Sequence, residues 1–301
     1  MFLFERILMT DFFKDYNPWG QGLFFLFILA FTMFLRHPVV QGASFLGALS
    51  YLLVQVGFQK SWKTLVMAIS TGLFITILNP ILIHQGATIL WYFPNGNPLT
   101  LESLLFGLSA GLMFTTMILW FSCHNRVMTS DRILYLFGRI LPSLSLIFSM
   151  VLRFVPLYKE RIQTIYACRK GIGEDMSQGS LLRRFKNALK IFSIFVTWSL
   201  ESSIETADSM KARGHGLEGR THFALFRIEG RDYLLLGSVL LGSILCILAA
   251  YFRRFKMVIY PTVKIAKVDG FSLVAFFVFV VLAFMPVILS LVEEYQWKYS
   301  R

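Results

Sequence analysis

Six stretches of this chain are long and apolar enough to cross a lipid bilayer, and they leave few other ways for it to fold: Trp19–Leu35, Pro38–Phe58, Trp62–Ile83, Ser103–Cys123, Tyr233–Phe252 and Phe271–Val292. A hydrocarbon core of about 30 Å takes about 20 apolar residues in a helix. Only helices and closed barrels satisfy their backbone polar groups in lipid, and runs of this length select helices. Composition agrees, because 56% of the 301 residues are hydrophobic and 15% are charged. A water-soluble domain of that size needs more charge to cover its surface. The expected fold is an all-α integral membrane protein with about six transmembrane helices. The first stretch has no small-residue cleavage site after it and is read as a retained span.

The cations orient these spans. No Lys or Arg occurs between His84 and Glu102, which marks an external loop, whereas His124–Asp232 holds 17 Lys and Arg against 10 Asp and Glu. That stretch is expected in the cytoplasm together with both termini. Arg253, Arg254, Lys256, Lys264 and Lys267 break this pattern, since six crossings put them outside. The chain divides by this reading into N-terminal membrane helices (1–123), a cytoplasmic region (124–232) and C-terminal membrane helices (233–301).

Two further helices are expected inside the cytoplasmic region. The first, Leu141 to Lys170, begins with "LPSLSLIFSMVLRFVP" and becomes amphipathic from Arg153 onward; Pro156 is expected to bend it. Gly171, with Gly173 behind it, suits a left-handed helix end. The second, Leu181 to Arg213, carries Leu189, Phe192, Phe195, Val196, Leu200, Ile204 and Ala207 along one face at helical spacing. Glu201, Glu205 and Asp208 line a neighbouring stripe, read as a solvated or partner-facing side. Lys211 and Arg213 complement the helix dipole in the last turn, and Gly214 supplies the stop. Both helices are too apolar to lie bare in water and require a cover: each other, the membrane interface, or another membrane protein. Their ends are small and basic. Such arms suit the joining of a membrane partner to a soluble one.

Other signals point to no chemistry of this chain's own. Cys123, Cys168 and Cys246 have no paired or zinc-ligand spacing, and the five histidines are scattered. No G-x-x-x-x-G-K-[ST] loop occurs to cradle a nucleotide, and Gly171-Ile172-Gly173 lacks the third glycine of a dinucleotide site. Gly107 and Gly111 form a small-xxx-small pattern, read as packing within the bundle. A self-contained secondary transporter or uniporter is the alternative reading. A proton-coupled carrier needs ionisable residues in mid-membrane, and the proposed spans hold no acidic residue there, with Glu102 only bordering the fourth.

The segment "ADSMKARGHG", Ala207 to Gly216, resembles the second Ala-Arg-Gly signature of the transmembrane T component of energy-coupling factor transporters. "LRFVP", with Arg153, Phe154 and Pro156, resembles that family's Arg-Phe-x-Pro element. The similarity is clearest over residues 98–232. Where the family's first signature reads Ala-Arg-Gly, this chain has Arg169-Lys170-Gly171, which sets Lys170 in the arginine position when Gly171 is aligned with Gly214. The resemblance implies a non-catalytic scaffold in a prokaryotic cell membrane, with two coupling helices whose tips dock two cytoplasmic ATPase subunits. Arg213, flanked by Ala212 and Gly214, would enter one; Lys170 or Arg169, beside Gly171, would enter the other. Ala207, Asp208 and Met210 would be structural parts of the second coupling helix. A small substrate-capture membrane protein, for a vitamin or a metal ion, would lie against the helices behind the tips. ATP and Mg2+ would bind the partner ATPases, with no cofactor, metal or nucleic acid on this chain.

Overall fold

The computed structural model describes residues 12–92, 97–174, 180–217, 229–255, 257–259, 264–265 and 269–299. The chain divides into two compact units, Met1–Ile133 with Phe226–Arg301, and Leu134–Leu225.

In the first unit, a short 3-10 turn (Phe12–Asp15) leads to α1 (Pro18–Phe34), α2 (Pro38–Val56), α3 (Phe58–Leu82) and α4 (Leu101–Val127). After the second unit come α8 (Gly230–Tyr251) and α9 (Gly270–Tyr299). Among the described residues five helices, α2, α3, α4, α8 and α9, are long and apolar enough to cross a membrane. The expected first span is α1, an apolar helix of 17 residues, which at a rise of about 1.5 Å per residue is about 25 Å long. Its start is set locally: the Asn17 side chain accepts the Trp19 N–H at 3.1 Å, and Pro18 fills the position where no N–H is needed.

The bundle is held by close helix contacts and a few buried polar links. Gly107 and Gly111 of α4 face α3, as their spacing suggested. A Cβ on Gly111 would lie 2.5 Å from the carbonyl oxygen of Gly72, and one on Gly107 would lie 2.8 Å from that of Thr76. With no side chains between them the two backbones approach closely, and dispersion does the work that the hydrophobic effect cannot do in lipid. Thr115 Oγ1 donates to the Ala68 carbonyl at 3.2 Å across the same seam. Buried Trp120 of α4 donates to Ser44 of α2 at 2.9 Å, and Ser44 shares a 2.6 Å hydrogen bond with Thr32 of α1. Around Trp120 lie Phe24, Phe25 and Tyr51, with Phe13 from the 3-10 turn edge-on to all three.

Three features depart from the expected pattern. Gly57, at φ 77°, joins α2 to α3 as a single residue, inside the stretch Pro38–Phe58 read as one span. The loop between α3 and α4 contains an antiparallel pair, β1 (Ile89–Tyr92) with β2 (Pro98–Thr100), and a second small pair, β3 (Met257–Val258) with β4 (Lys264–Ile265), lies between α8 and α9. A separate helix, α5 (Ser130–Ile140), carries the chain out of the first unit; Arg132 on it donates to Gln21 and to the Lys14 carbonyl.

The second unit is built on α6 (Pro142–Gly171) and α7 (Leu181–Ala212), of 30 and 32 residues. Both long helices expected between residues 124 and 232 are therefore present as continuous helices. Pro156 lies inside α6, which runs unbroken through it.

Candidate docking site at two helix tips

The helices α6 and α7 meet at an aromatic node. Tyr158 of α6 stacks on Phe154 at 5.6 Å and meets Phe195 and Trp198 of α7 edge-on at 5.3 and 5.8 Å. Ser199 donates to the Tyr158 hydroxyl oxygen at 3.1 Å, and the Arg161 guanidinium lies 4.8 Å above the Trp198 ring. The facing side of α7 is a stripe of Ile191, Phe195, Trp198, Ser202 and Thr206, all buried or half-buried at helical spacing. The apolar face expected from the sequence is mostly a different one. Leu189, Phe192, Leu200 and Ile204 are 50 to 64% exposed, and on α6 Phe148, Val151 and Val155 are about as open. Among the described residues those surfaces have no cover.

Both arms end in the same backbone device. At the end of α7, Gly214 takes φ 78°; its N–H donates to the Lys211 carbonyl at 2.9 Å, and the His215 N–H donates to the Met210 carbonyl at 3.0 Å. At the end of α6, Gly173 takes φ 83°; its N–H donates to Lys170 at 3.0 Å, and the Glu174 N–H donates to Arg169 at 3.1 Å. These paired bonds define a Schellman cap, in which a left-handed residue turns the chain back to satisfy the last carbonyls. The left-handed residue of the first tip is Gly173 and not Gly171, which is the last helical residue of α6. The same cap closes α8 with Arg253 at φ 55° in the left-handed position. The cap by itself therefore carries no docking role; what matters is which side chains it presents.

At the second tip Ala212 and Arg213 are exposed, and Arg213 makes no ion pair with any other described residue. Its guanidinium fork is free to grip a carboxylate bidentately. At the first tip the two candidate cations differ. Lys170 is exposed, but Arg169 is 19% exposed and ion-paired with Glu174, whose other oxygen accepts from Lys190 Nζ of α7 at 2.8 Å. Neither Glu174 nor Lys190 is marked by its sequence neighbourhood, because their meeting depends on the chain reversing after α6.

The remaining candidates lie along the arms. Arg153 and Pro156 are exposed on α6, and Phe154 is half-buried against Tyr158. On α7, Ala207 and Asp208 are exposed while Met210 is half-buried. Glu201 and Glu205 are open to solvent, as is Asp208, and no group of three His, Cys, Asp or Glu among the described residues is placed to hold a metal ion. In the first unit, a cavity of about 550 Å3 lies beside Tyr16, Arg231 and Glu293. Its charges answer one another: Arg231 pairs with Glu229 at 2.9 Å and Glu293 at 3.5 Å and sits 5.2 Å over the Tyr16 ring. Burial, with the neighbouring Glu293 carboxylate, pushes the Tyr16 phenol well above its ordinary range.

No family model matches the chain. Curated proteins do. An energy-coupling factor transporter transmembrane protein, EcfT 1 of Listeria monocytogenes serotype 1/2a, is 30% identical over 190 residues, which cover 59% of this chain and 69% of that protein. The EcfT protein of Lactococcus lactis subsp. cremoris is 32% identical over 106 residues, 35% of this chain and 40% of the relative's length. That of Acidaminococcus fermentans is 26% identical over 251 residues, 79% of this chain and 91% of the relative. Together with five membrane-length helices and the signature segments at 152–156 and 207–216, these matches show that the chain belongs to the family of energy-coupling factor transporter transmembrane proteins.

Proposed function

We propose that this chain is the non-catalytic scaffold of an ATP-driven importer, docking two cytoplasmic ATPase subunits through the tips of α6 and α7. The observation that carries the reading is Arg213 at the capped end of α7, exposed and unpaired among the described residues. An acidic groove on a soluble partner would hold that guanidinium. The open apolar faces of both arms, Phe148, Val151 and Val155 on one and Phe192, Leu200 and Ile204 on the other, fit a small membrane protein that captures a vitamin or a metal ion. ATP and Mg2+ belong to the ATPases in this scheme, and their closing moves the tips and, through the aromatic node, the arms.

The buried carboxylates support this reading over a self-contained carrier. Among the described residues these are Glu102 and Asp232. Each lies in the first turn of a helix and is occupied with structural hydrogen bonds: Glu102 accepts from Thr88 Oγ1 at 2.7 Å, and Asp232 accepts the N–H groups of Asn17 and Glu229 at 2.9 and 2.8 Å. Neither is placed as a mid-membrane proton relay.

Co-expression with the genes beside its own tests the proposal. Two ATPase chains and one small hydrophobic chain are expected to co-purify with this protein. Arg213→Ala is expected to weaken ATPase docking by about 2 kcal/mol or more, roughly thirtyfold, while membrane insertion stays normal. Substrate transport by the purified chain alone, without ATP, overturns the reading.

A further inference from the structure

Between α3 and α4 a buried carboxylate holds a strand that has no core of its own. Glu102, buried in the first turn of α4, accepts from Thr88 Oγ1 at 2.7 Å and from the Thr88 N–H at 3.2 Å. Thr100 Oγ1 donates to the Gln85 carbonyl at 2.9 Å, and a Cβ on Gly86 would lie 2.5 Å from Glu102 Oε2. These links fix the chain just before β1, and β2, half-buried to buried along its length, backs it on the other side. What they hold in place is Ile89-Leu90-Trp91-Tyr92, 49 to 71% exposed on both faces of the strand. No charged side chain occurs between His84 and Glu102. A two-stranded hairpin is marginal by itself in water. A carboxylate buried to steady four open apolar residues therefore points to a surface that receives them.

We propose that β1 is an interfacial anchor, seated at the boundary of lipid headgroups and acyl chains at the end of the bundle where α3 stops and α4 starts. Two features of the strand select that depth. Its four apolar side chains are disfavoured in bulk water. Its outer edge, open because the sheet has only two strands, carries N–H and C=O groups that hydrocarbon cannot satisfy. The boundary accommodates both. Trp91 and Tyr92 suit it best, as apolar rings each with one polar hydrogen to reach the headgroups. The helix ends beside the strand agree, because Ile81 and Leu82 of α3 and Leu101 and Leu104 of α4 are also exposed, on helices of membrane length. With no charge on the loop, nothing draws it toward water or toward an ionic partner. Glu102 is then a positioning residue, tying the start of α4 to the strand that sits in the interface.

A nitroxide at position 91 tests this in the full chain, reconstituted alone in vesicles of phosphatidylethanolamine and phosphatidylglycerol. Cys123 and Cys246 are buried, and exposed Cys168 is removed as Cys168→Ser. Trp91→Cys alters an exposed side chain, so folding is not at stake. Labels at Leu73→Cys on α3 and Lys211→Cys at the end of α7, both exposed, supply the lipid and water references. Contact with a water-soluble nickel chelate is expected to be at least about fivefold lower at 91 than at 211, and contact with dissolved oxygen, which concentrates in acyl chains, within about twofold of that at 73. Thr88→Val, at another exposed position, removes the hydroxyl bond to Glu102 and is expected to raise nickel contact at 91 about twofold by loosening the strand. Nickel contact at 91 equal to that at 211 overturns the inference. So does shielding from both nickel and oxygen, which places β1 against protein, or shielding seen only in the co-expressed complex, which makes a partner chain its cover. An unchanged signal in Thr88→Val overturns the positioning role of Glu102.

Discussion

The helix pairs α3 with α4 and α6 with α7 are similar in length, yet they meet in different ways. Along α3 and α4, Gly72, Gly107 and Gly111 bring the backbones together, and Thr115 seals the seam with a hydrogen bond. Along α6 and α7, contact is concentrated on one aromatic node, and large side chains such as Phe148, Phe192 and Leu200 stand open. Small residues complete an interface within the chain, because backbone approach is the main source of attraction where lipid competes equally for every apolar side chain. Bulky side chains face outward on both pairs, but Phe74 and Ile77 of α3 lie on a membrane-length helix, whereas Phe148 and Phe192 do not. The first pair closes along a seam of backbone, and the second along a cluster of rings.

Breaking the seam is expected to have the largest effect. Gly111→Leu drives a side chain into the Gly72 backbone, which cannot give way as a side-chain end could. A loss of about 3 kcal/mol or more is expected, read as failure to accumulate folded protein in the membrane. A variant that accumulates and melts normally in detergent would remove the contrast between the pairs.

Removing the node comes next. Trp198→Ala takes away an edge-on partner of Tyr158 and the platform for Arg161, at an expected cost of about 2–3 kcal/mol to the α6–α7 pairing. Hydrogen exchange should rise in α6 and α7 and stay unchanged in α3 and α4. Equal loosening of both pairs would mean that the second pair is not a separately stabilised unit.

A smaller effect of about 1 kcal/mol is expected at His37, again confined to the first unit. Its Nδ1 accepts the Val39 N–H at 3.4 Å as the cap of α2, a role open only to the neutral ring, and burial lowers its pKa below the ordinary histidine value. The unfolded chain takes up a proton there more readily than the fold does. Stability from this group is present at neutral pH and is lost as pH falls through the ordinary histidine range toward the lower folded value. Thermal melts in detergent at pH 7 and pH 5 should show the drop, and His37→Asn, which caps without titrating, should flatten it. A pH-independent melt for the unaltered chain would contradict the assignment.

The least change is expected where the exposed faces are altered. Phe192→Ser with Leu200→Ser should shift the stability of the isolated protein by no more than about 0.5 kcal/mol each. The same double variant should lose the small membrane partner from the purified complex. Marked destabilisation without a partner would show that these faces are covered by the chain itself.

Much of the fold was legible in the chain because its signals are local. Each membrane helix announces itself by hydropathy over about 20 residues. The long helices α6 and α7 are bounded by proline, serine and glycine at positions 142, 180 and 214, and the small-xxx-small pattern of α4 marks its packing face without knowledge of the partner. The Gly57 joint and the β1–β2 pair were less visible. One residue in a left-handed conformation carries no pattern, and the four residues of β1 are all exposed, so they show no alternation of burial. The packed stripe of α7 was hidden for a different reason. Apolar content suggested Leu189, Phe192 and Leu200, but the face that meets α6 mixes serine and threonine with Phe195 and Trp198, and composition alone cannot rank two faces of one helix.

What the amino-acid sequence determined by itself is a membrane-embedded chain with two long amphipathic arms ending in small, basic tips, because hydropathy, helix breakers and charge act over a few residues. The tertiary structure decided which glycine turns each tip, and so which side chain stands at its end. Gly171 and Gly173 are both able to stop a helix, and the choice between them rests on the hydrogen bonds closed by the residues that follow. It also decided that Arg169 is engaged by Glu174, which in turn holds Lys190 of the next helix, while Arg213 stands open. Two equal charges in the sequence become unequal only when the folded chain gives one of them a partner.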